Sequence, residues 1–234
     1  MTGADGDADA HAPGDTDDAP AAVVVRAVPV ETRHGPAVAH LHRVDRPRGV
    51  LVLGHGAGGG VQAPDLVAVT TAALDLGFAV GLVEQPYRVA GHRAPPRAPV
   101  LDAAWTDVVG HLRTEVGDVP LVVGGRSSGA RVACRTAAAT AATGVLCLAF
   151  PLRPAARAGR PPAPSRLPEL DGVPVPVLVV QGARDPFGIP PEAPGRTVVL
   201  VSGDHSLRAD RDAVAAAVRR WLPRVVDGSP DPAR

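Results

Sequence analysis

Five residues near the middle of the chain, Gly125-Arg126-Ser127-Ser128-Gly129, could carry a nucleophile. They follow a short apolar run, Leu121–Val123, and precede an alanine-rich stretch. A serine at such a strand-to-helix corner sits in a strained backbone conformation, and glycines two residues before and after it relieve the crowding of a sharp turn. A helix opening at Ser128 would aim its first amides at the place where negative charge develops during attack on a carbonyl. The chemistry implied is acyl transfer with Ser127 as nucleophile.

Such a serine needs a base, and the base needs an orienting acid. Both should follow in the chain, acid first, each just past a strand. Asp185 meets the first condition in Gln181-Gly182-Ala183-Arg184-Asp185, after the run Val177–Val180. His205 meets the second in Ser202-Gly203-Asp204-His205, after Val198–Val201. Asp204, beside the histidine, reads as a loop residue that could also serve as a second acid. The small-residue loop Gly54-His55-Gly56-Ala57-Gly58-Gly59-Gly60 can bring backbone close to a substrate oxygen. The expected oxyanion donors are the amides of Ser128 and Ala57, with Gly58 as the substitute. Each donor of this kind is typically worth about 2.7–4 kcal/mol in the transition state.

The same glycines permit a rival reading. Gly54-x-Gly56-x-x-Gly59 after a strand satisfies a dinucleotide fingerprint, and Glu84 ends the next strand where a ribose-binding acid would stand. Against it, the last glycine does not open the helix, because Val61–Pro64 intervenes, and Ser127, Asp185 and His205 are left unexplained. His40 and His42 alternate along one strand and share a face; a metal pair is conceivable, an exposed edge strand the simpler account. His55 reads as ordering its own loop. Arg88, His92 and Arg93 form a loop near the same edge, either solvated or placed to meet an anionic substrate.

These residues need a scaffold that delivers them to one edge. Val23–Val30 and Ala37–Arg43 read as two opening strands. Val50–Leu53 is a continuous apolar run, the mark of a strand covered on both faces. Phe78–Val83, Leu121–Val123, Val145–Phe150, Val177–Val180 and Val198–Val201 complete about eight strands. Between them, Leu66, Val69, Ala73 and Leu76 fall on one helical face closed by Gly77, and Leu101, Trp105, Val108, Leu112 and Val116 on another closed by Gly117. An alanine-rich helix is expected from the serine to about Ala142, and a last helix carries Val214, Val218, Trp221 and Leu222. Alternation of this kind gives an α/β architecture, a mostly parallel sheet with helices on both faces.

Composition narrows the function. The chain has 234 residues, enough for one domain, and all 24 basic residues are arginine. Without lysine there is no Schiff-base or P-loop chemistry. A formal net charge of zero and 3% aromatic residues give nucleic-acid binding little support. Cys134 and Cys147 sit in apolar segments and read as core residues. Residues 1–20 hold six aspartates and no arginine, and read as a disordered acidic tail. Residues 21–225 form the folded domain and 226–234 a flexible end. No signal peptide or membrane-length apolar run is visible, so a cytoplasmic protein is expected. No metal or cofactor is expected, the partner is a small-molecule substrate, and nothing in the sequence sets an oligomeric state.

The chain resembles the small α/β-hydrolases known as dienelactone-hydrolase-like, related to an animal testis-expressed protein and to a chromatin-complex subunit. The resemblance rests on His55–Gly59, Pro86-Tyr87, Arg93–Trp105, Gly125–Arg131, Gln181–Gly188 and Gly203–Ser206, and runs over most of residues 50–222. Ser128 stands where the family usually has methionine, and Glu84-Gln85 differs from its aromatic-rich version. The resemblance implies an α/β-hydrolase fold and a triad of Ser127, Asp185 and His205; the serine machinery itself suits cleavage of a small ester, thioester or lactone, and equally acyl transfer. Tyr87, Arg88 and Arg93 are the candidate substrate-binding residues. A catalytically idle interaction scaffold is the alternative. Prolines at Pro154, Pro161, Pro162 and Pro164 oppose a regular helix between Pro151 and Val173, so no cap domain and no apolar lid are expected.

Overall fold

The computed structural model describes residues 24–154 and 163–228. The expectation for the acidic tail lies outside the described residues. Eight strands form one sheet in the order β1-β2-β4-β3-β5-β6-β7-β8. They are β1 (Val24–Thr32), β2 (Gly35–Arg43), β3 (Val50–Gly54), β4 (Ala79–Glu84), β5 (Leu121–Arg126), β6 (Gly144–Leu148), β7 (Val177–Gly182) and β8 (Arg196–Val201). β1 pairs antiparallel with β2, and β2 antiparallel with β4. From β4 through β8 every pairing is parallel.

The apolar runs explain why the sheet is covered on both sides. Successive side chains of a strand point to opposite faces. Val50 and Val52 therefore pack with Trp105, Val108 and Ala133, while Leu51 and Leu53 pack with Leu66, Val69, Val214 and Val218. The first group belongs to the face covered by α3 (Ala98–Val116) and α4 (Ser128–Thr136), the second to the face covered by α1 (Pro64–Asp75) and α6 (Arg211–Asp227). The same split recurs in β6, where Val145 and Cys147 face α4 and Leu146 and Leu148 face α6.

Four expectations change. The alanine-rich helix α4 stops at Thr136 rather than near Ala142. Beyond it the Thr140 hydroxyl donates to the carbonyls of Thr136 and Ala137, and Ala141 turns left-handed at φ 50°, so the chain folds back toward β6. β2 is an interior strand, with β1 outside it, so His40 and His42 do not sit on an edge. The flexible end expected from residue 226 is helical through Asp227, whose carboxylate accepts from Arg48 Nη2 at 3.1 Å. Two short helices carried no periodic signal: α2 (Pro86–Val89) and α5 (Leu167–Asp171). Each has a proline in its first turn, where a missing N–H breaks no helical bond.

Candidate active site

β5 ends at Arg126 and α4 begins at Ser128, so one residue, Ser127, makes the whole corner. Its backbone is held at φ 52° and ψ −106°, a conformation that a side chain other than glycine's rarely takes and that is typical of strained functional turns. The Ser127 amide donates to the Leu148 carbonyl at 2.9 Å, fastening the corner to β6. The flanking glycines are required by contact with β3. A β-carbon on Gly125 would lie 2.4 Å, and one on Gly129 2.3 Å, from the Gly54 carbonyl oxygen. Close approach of the elbow to the end of β3 is what sets the serine beside the glycine-rich loop.

The loops after β7 and β8 deliver the partners. Ser127 Oγ lies 2.9 Å from His205 Nε2, and His205 Nδ1 lies 2.8 Å from Asp185 Oδ2. An ionised carboxylate can only accept, so Nδ1 carries the proton and Nε2 is left as the acceptor for the serine hydroxyl. Asp185 is itself tightly held. Its Oδ1 accepts from the Phe187 amide at 2.9 Å, and its Oδ2 also accepts from Gln181 Nε2 at 2.8 Å. Gln181 is fully buried, and the same nitrogen points at the carbonyls of Phe150 and Gly188 at 3.1 and 3.0 Å. With three acceptors around it, that end of the amide must be the NH2 group. The Phe187 ring packs edge-on against the His205 imidazole at 4.4 Å. The two loops also touch through backbone: a β-carbon on Gly182 would sit 2.3 Å from the Asp204 carbonyl oxygen.

Arg126, one residue before the serine, ties three segments together. Its Nη2 donates to the His205 carbonyl at 3.2 Å, and its Nε lies 3.0 Å from Asp65 Oδ2 at the start of α1. It runs beneath the glycine loop, where a β-carbon on Gly56 would meet Nη1 at 2.9 Å. Asp65 is fully buried, and burial pushes its carboxyl above the usual range while the Arg126 charge opposes the rise.

The glycine loop is fixed from below. His55 is buried, its Nδ1–H donating to the Gly56 carbonyl at 2.8 Å and its Nε2 accepting from the Gln85 amide at 3.3 Å. Burial pushes its pKa down, so it stays neutral. The Tyr87 hydroxyl donates to the Ala57 carbonyl at 3.0 Å. Ala57 is half-buried and Gly58 exposed at the top of this loop, and Ser128 is the first helical residue of α4, an end whose amides have no intrahelical partner.

The remaining sequence candidates fall elsewhere. Arg88 donates to the His92 carbonyl at 3.2 Å and Arg93 is exposed; neither lines the pocket beside Ser128, whereas Tyr87 does. Asp204 Oδ1 accepts from the amide and hydroxyl of Ser206 at 2.9 and 2.6 Å, which hold its carboxyl below the usual range. Glu84 Oε1 lies 3.0 Å from His40 Nε2. Among the described residues no three His, Cys, Asp or Glu side chains gather as a metal site, and no helix is long and apolar enough to cross a membrane. Gln181, Arg126 and Phe187 are the site residues that sequence reasoning missed. Gln181 carried one usable signal: a polar residue closing an otherwise apolar strand run.

The sequence profile of a family described as an alpha/beta hydrolase domain matches residues 47–220. Among solved structures, XC6422 from Xanthomonas campestris, an α/β serine hydrolase without a lid, matches at TM-score 0.63 and 22% identity, over 85% of this chain and 95% of that one. Est1E from Butyrivibrio proteoclasticus matches at TM-score 0.69 and 16% identity, over 86% and 99%. Dienelactone hydrolase from Anabaena variabilis matches at TM-score 0.67 and 16% identity, over 86% and 98%. No curated protein sequence matches the chain. At such identities the structural likeness is one of fold.

Proposed function

The chain belongs to the alpha/beta hydrolase family, and from that premise we propose that it is a serine hydrolase cleaving a small ester, thioester or lactone through an acyl-enzyme on Ser127. The α/β-hydrolase sheet carries no cap domain among the described residues. One observation supports the reading above all others: the unbroken line from Ser127 Oγ through His205 to Asp185, with contacts of 2.9 and 2.8 Å.

In this reading Ser127 Oγ attacks the acyl carbon as its proton passes to His205 Nε2. Asp185 keeps the ring in the correct tautomer and stabilises the imidazolium. The oxyanion takes hydrogen bonds from the amides of Ser128 and Ala57. His205 then returns the proton to the leaving oxygen or sulfur, and the acyl–serine bond is left. Water, deprotonated by the same nitrogen, attacks that bond and restores the serine. With no apolar lid among the described residues, they offer little surface to grip a long acyl chain, each buried methylene being worth about 0.8 kcal/mol. Short acyl groups are the expected substrates. A solved structure that shares the fold is a dienelactone hydrolase, which supports hydrolysis as the kind of reaction.

The experiment is labelling with a fluorophosphonate probe followed by peptide mapping. An adduct on Ser127 is the expected result. Folded protein that takes up no probe at that residue overturns the proposal.

A further inference from the structure

The two edges of the sheet are guarded very differently. β1, at one edge, carries Pro29 in its middle, with Arg26 before it and Glu31 after it. Proline has no N–H to donate and charged side chains resist burial, so both keep an edge strand from pairing with another chain. β8, at the other edge, reads Arg196-Thr197-Val198-Val199-Leu200-Val201. The Arg196 side chain is buried, bonded to the Pro191 carbonyl and to Asp171. The rest of the strand holds neither a charge nor a proline. No helix lies between β7 and β8, so the two sides of this edge are covered unequally. Val199 packs on the face that α6 covers, while Val198 and, by alternation, Leu200 belong to the other face. Leu200 is 53% exposed.

Pairing with β7 sorts the backbone groups of β8 into two rows. The Val177 amide donates to the Gly195 carbonyl at 2.8 Å, and the Ala183 amide to that of Val201 at 2.9 Å. Gly195, Thr197, Val199 and Val201 therefore turn their backbone groups toward β7, and Arg196, Val198 and Leu200 turn theirs outward. Arg196 is matched already, since it exchanges hydrogen bonds with Ala193 at 2.8 and 3.3 Å. The outward N–H and C=O of Val198 and Leu200 have no partner among the described residues.

The occupant that fits is an uncharged strand, and a second β8 fits without remainder. Two β8 strands set antiparallel about a two-fold axis at Val199 place Val198 of each opposite Leu200 of the other. In that register both residues form hydrogen-bonded pairs, so every outward amide of one strand meets an outward carbonyl of the other. Leu200 then lies beside Val198 of the second copy, on the face that lacks a helix. The formal net charge of zero leaves no overall repulsion between copies. Assembly closes at two copies, because a two-fold contact uses the same patch on both and the β1 edge is blocked. We propose that β8 is a homodimer interface, across which two copies of this chain join their sheets edge to edge.

The test is analytical ultracentrifugation of the full chain over a range of concentrations, beside the variant Leu200→Lys, which adds the charge that edge strands ordinarily use for protection. The expected result is a wild-type protein at twice the mass of one chain and a variant at the mass of one, with unchanged circular dichroism. The register is read by cross-linking with oxidised glutathione. Val199→Cys should join to its own copy, because the Cα atoms of a non-hydrogen-bonded antiparallel pair lie about 4.5 Å apart, within disulfide reach. Leu200→Cys, which faces Val198, should not, and the native Cys134 and Cys147 are buried. Should Leu200→Lys fail to fold, the cross-linking pair still decides. A wild-type chain that sediments as a single copy at every concentration overturns the proposal, whatever else meets the edge. So does a dimer that folded Leu200→Lys leaves intact, since it must use another surface. Cross-linking at position 200 in place of 199 overturns the two-fold register.

Discussion

Around Asp185 both carboxylate oxygens have donors: the Phe187 amide on Oδ1, Gln181 and His205 on Oδ2. The one loose end there is Gln181 Oε1, left over when its NH2 group is turned to three acceptors. Among the residues lining the pocket beside Ser128 the reverse holds: the indole N–H of Trp105 and the side-chain carbonyl of Gln85 are buried without a protein partner. Both regions are buried, one reaching Ser127 through His205 and the other lined by Ser128, the next residue. Groups that must keep one geometry through every turnover are satisfied inside the protein, where packing and second contacts lock them. On the other side two polar groups stay buried without a protein partner, each at a cost of about 1–3 kcal/mol.

The largest test of this contrast removes the residue that the two regions share. Ser127→Ala should reduce kcat on the order of a million-fold with an unchanged circular dichroism spectrum, as deletion of the serine does in a comparable triad. Retention of more than a few percent of activity would mean that the two regions do not meet at a nucleophile.

Next in size is Arg126→Met, which strips the buried Asp65 carboxylate of its only charge partner in the pair. Removing one member of a buried pair costs about 3 kcal/mol or more, so thermal or urea unfolding should show a clear loss. Burial already holds the Asp65 carboxyl above its usual range. A carboxyl whose folded pKa exceeds its unfolded one takes up a proton on folding, so the deficit should shrink as pH falls toward that pKa. A deficit that grew with acidity would contradict the assignment.

Gln181→Met tests the satisfied side alone. It deletes one hydrogen bond to a charged group, and kcat should fall about tenfold. KM should stay nearly constant, because Gln181 lies behind the acid and touches no substrate. A change confined to KM would move Gln181 into the binding site. The smallest effect expected is that of Tyr87→Phe, which frees the Ala57 carbonyl at the top of the glycine loop. Loss of this bond should cost about 1 kcal/mol in unfolding free energy and no more than a few-fold in kcat, measured on a short ester.

What could be read in advance was whatever is local in the chain. A strand covered on both faces declares itself as an unbroken apolar run, so β3 and β7 were legible at once. The elbow was legible because Gly125 and Gly129 answer a steric need inside five residues. Asp185 and His205 were legible from their order and their places after strands. Arg126 was not, because its meaning depends on Asp65, distant in sequence, and on the His205 carbonyl. Nor was the end of α4, where the chain reverses at the left-handed Ala141 within a run rich in alanine. Tyr87 was singled out beside Arg88 and Arg93 as if the three shared a task; its hydroxyl is spent on the loop, and the arginines stand outside the pocket.

The covering of one sheet face by α1 and α6 has a consequence in time. α1 spans Pro64–Asp75 and α6 spans Arg211–Asp227, so the two halves of that layer come from distant parts of the chain. At a ribosomal rate of 5–20 residues per second, α6 emerges roughly 7–30 s after α1. Through that interval Leu51, Leu53, Val122 and Leu146, which later sit against α6 and its neighbours, have only half their cover. The serine corner is made early in the same interval, while the carboxylate and imidazole that would activate it have not yet been synthesised. A nascent chain therefore carries its most exposed apolar face and an inert serine together. Both conditions end when α6 docks, so in the proposed reading the completion of the fold and the activation of the serine coincide.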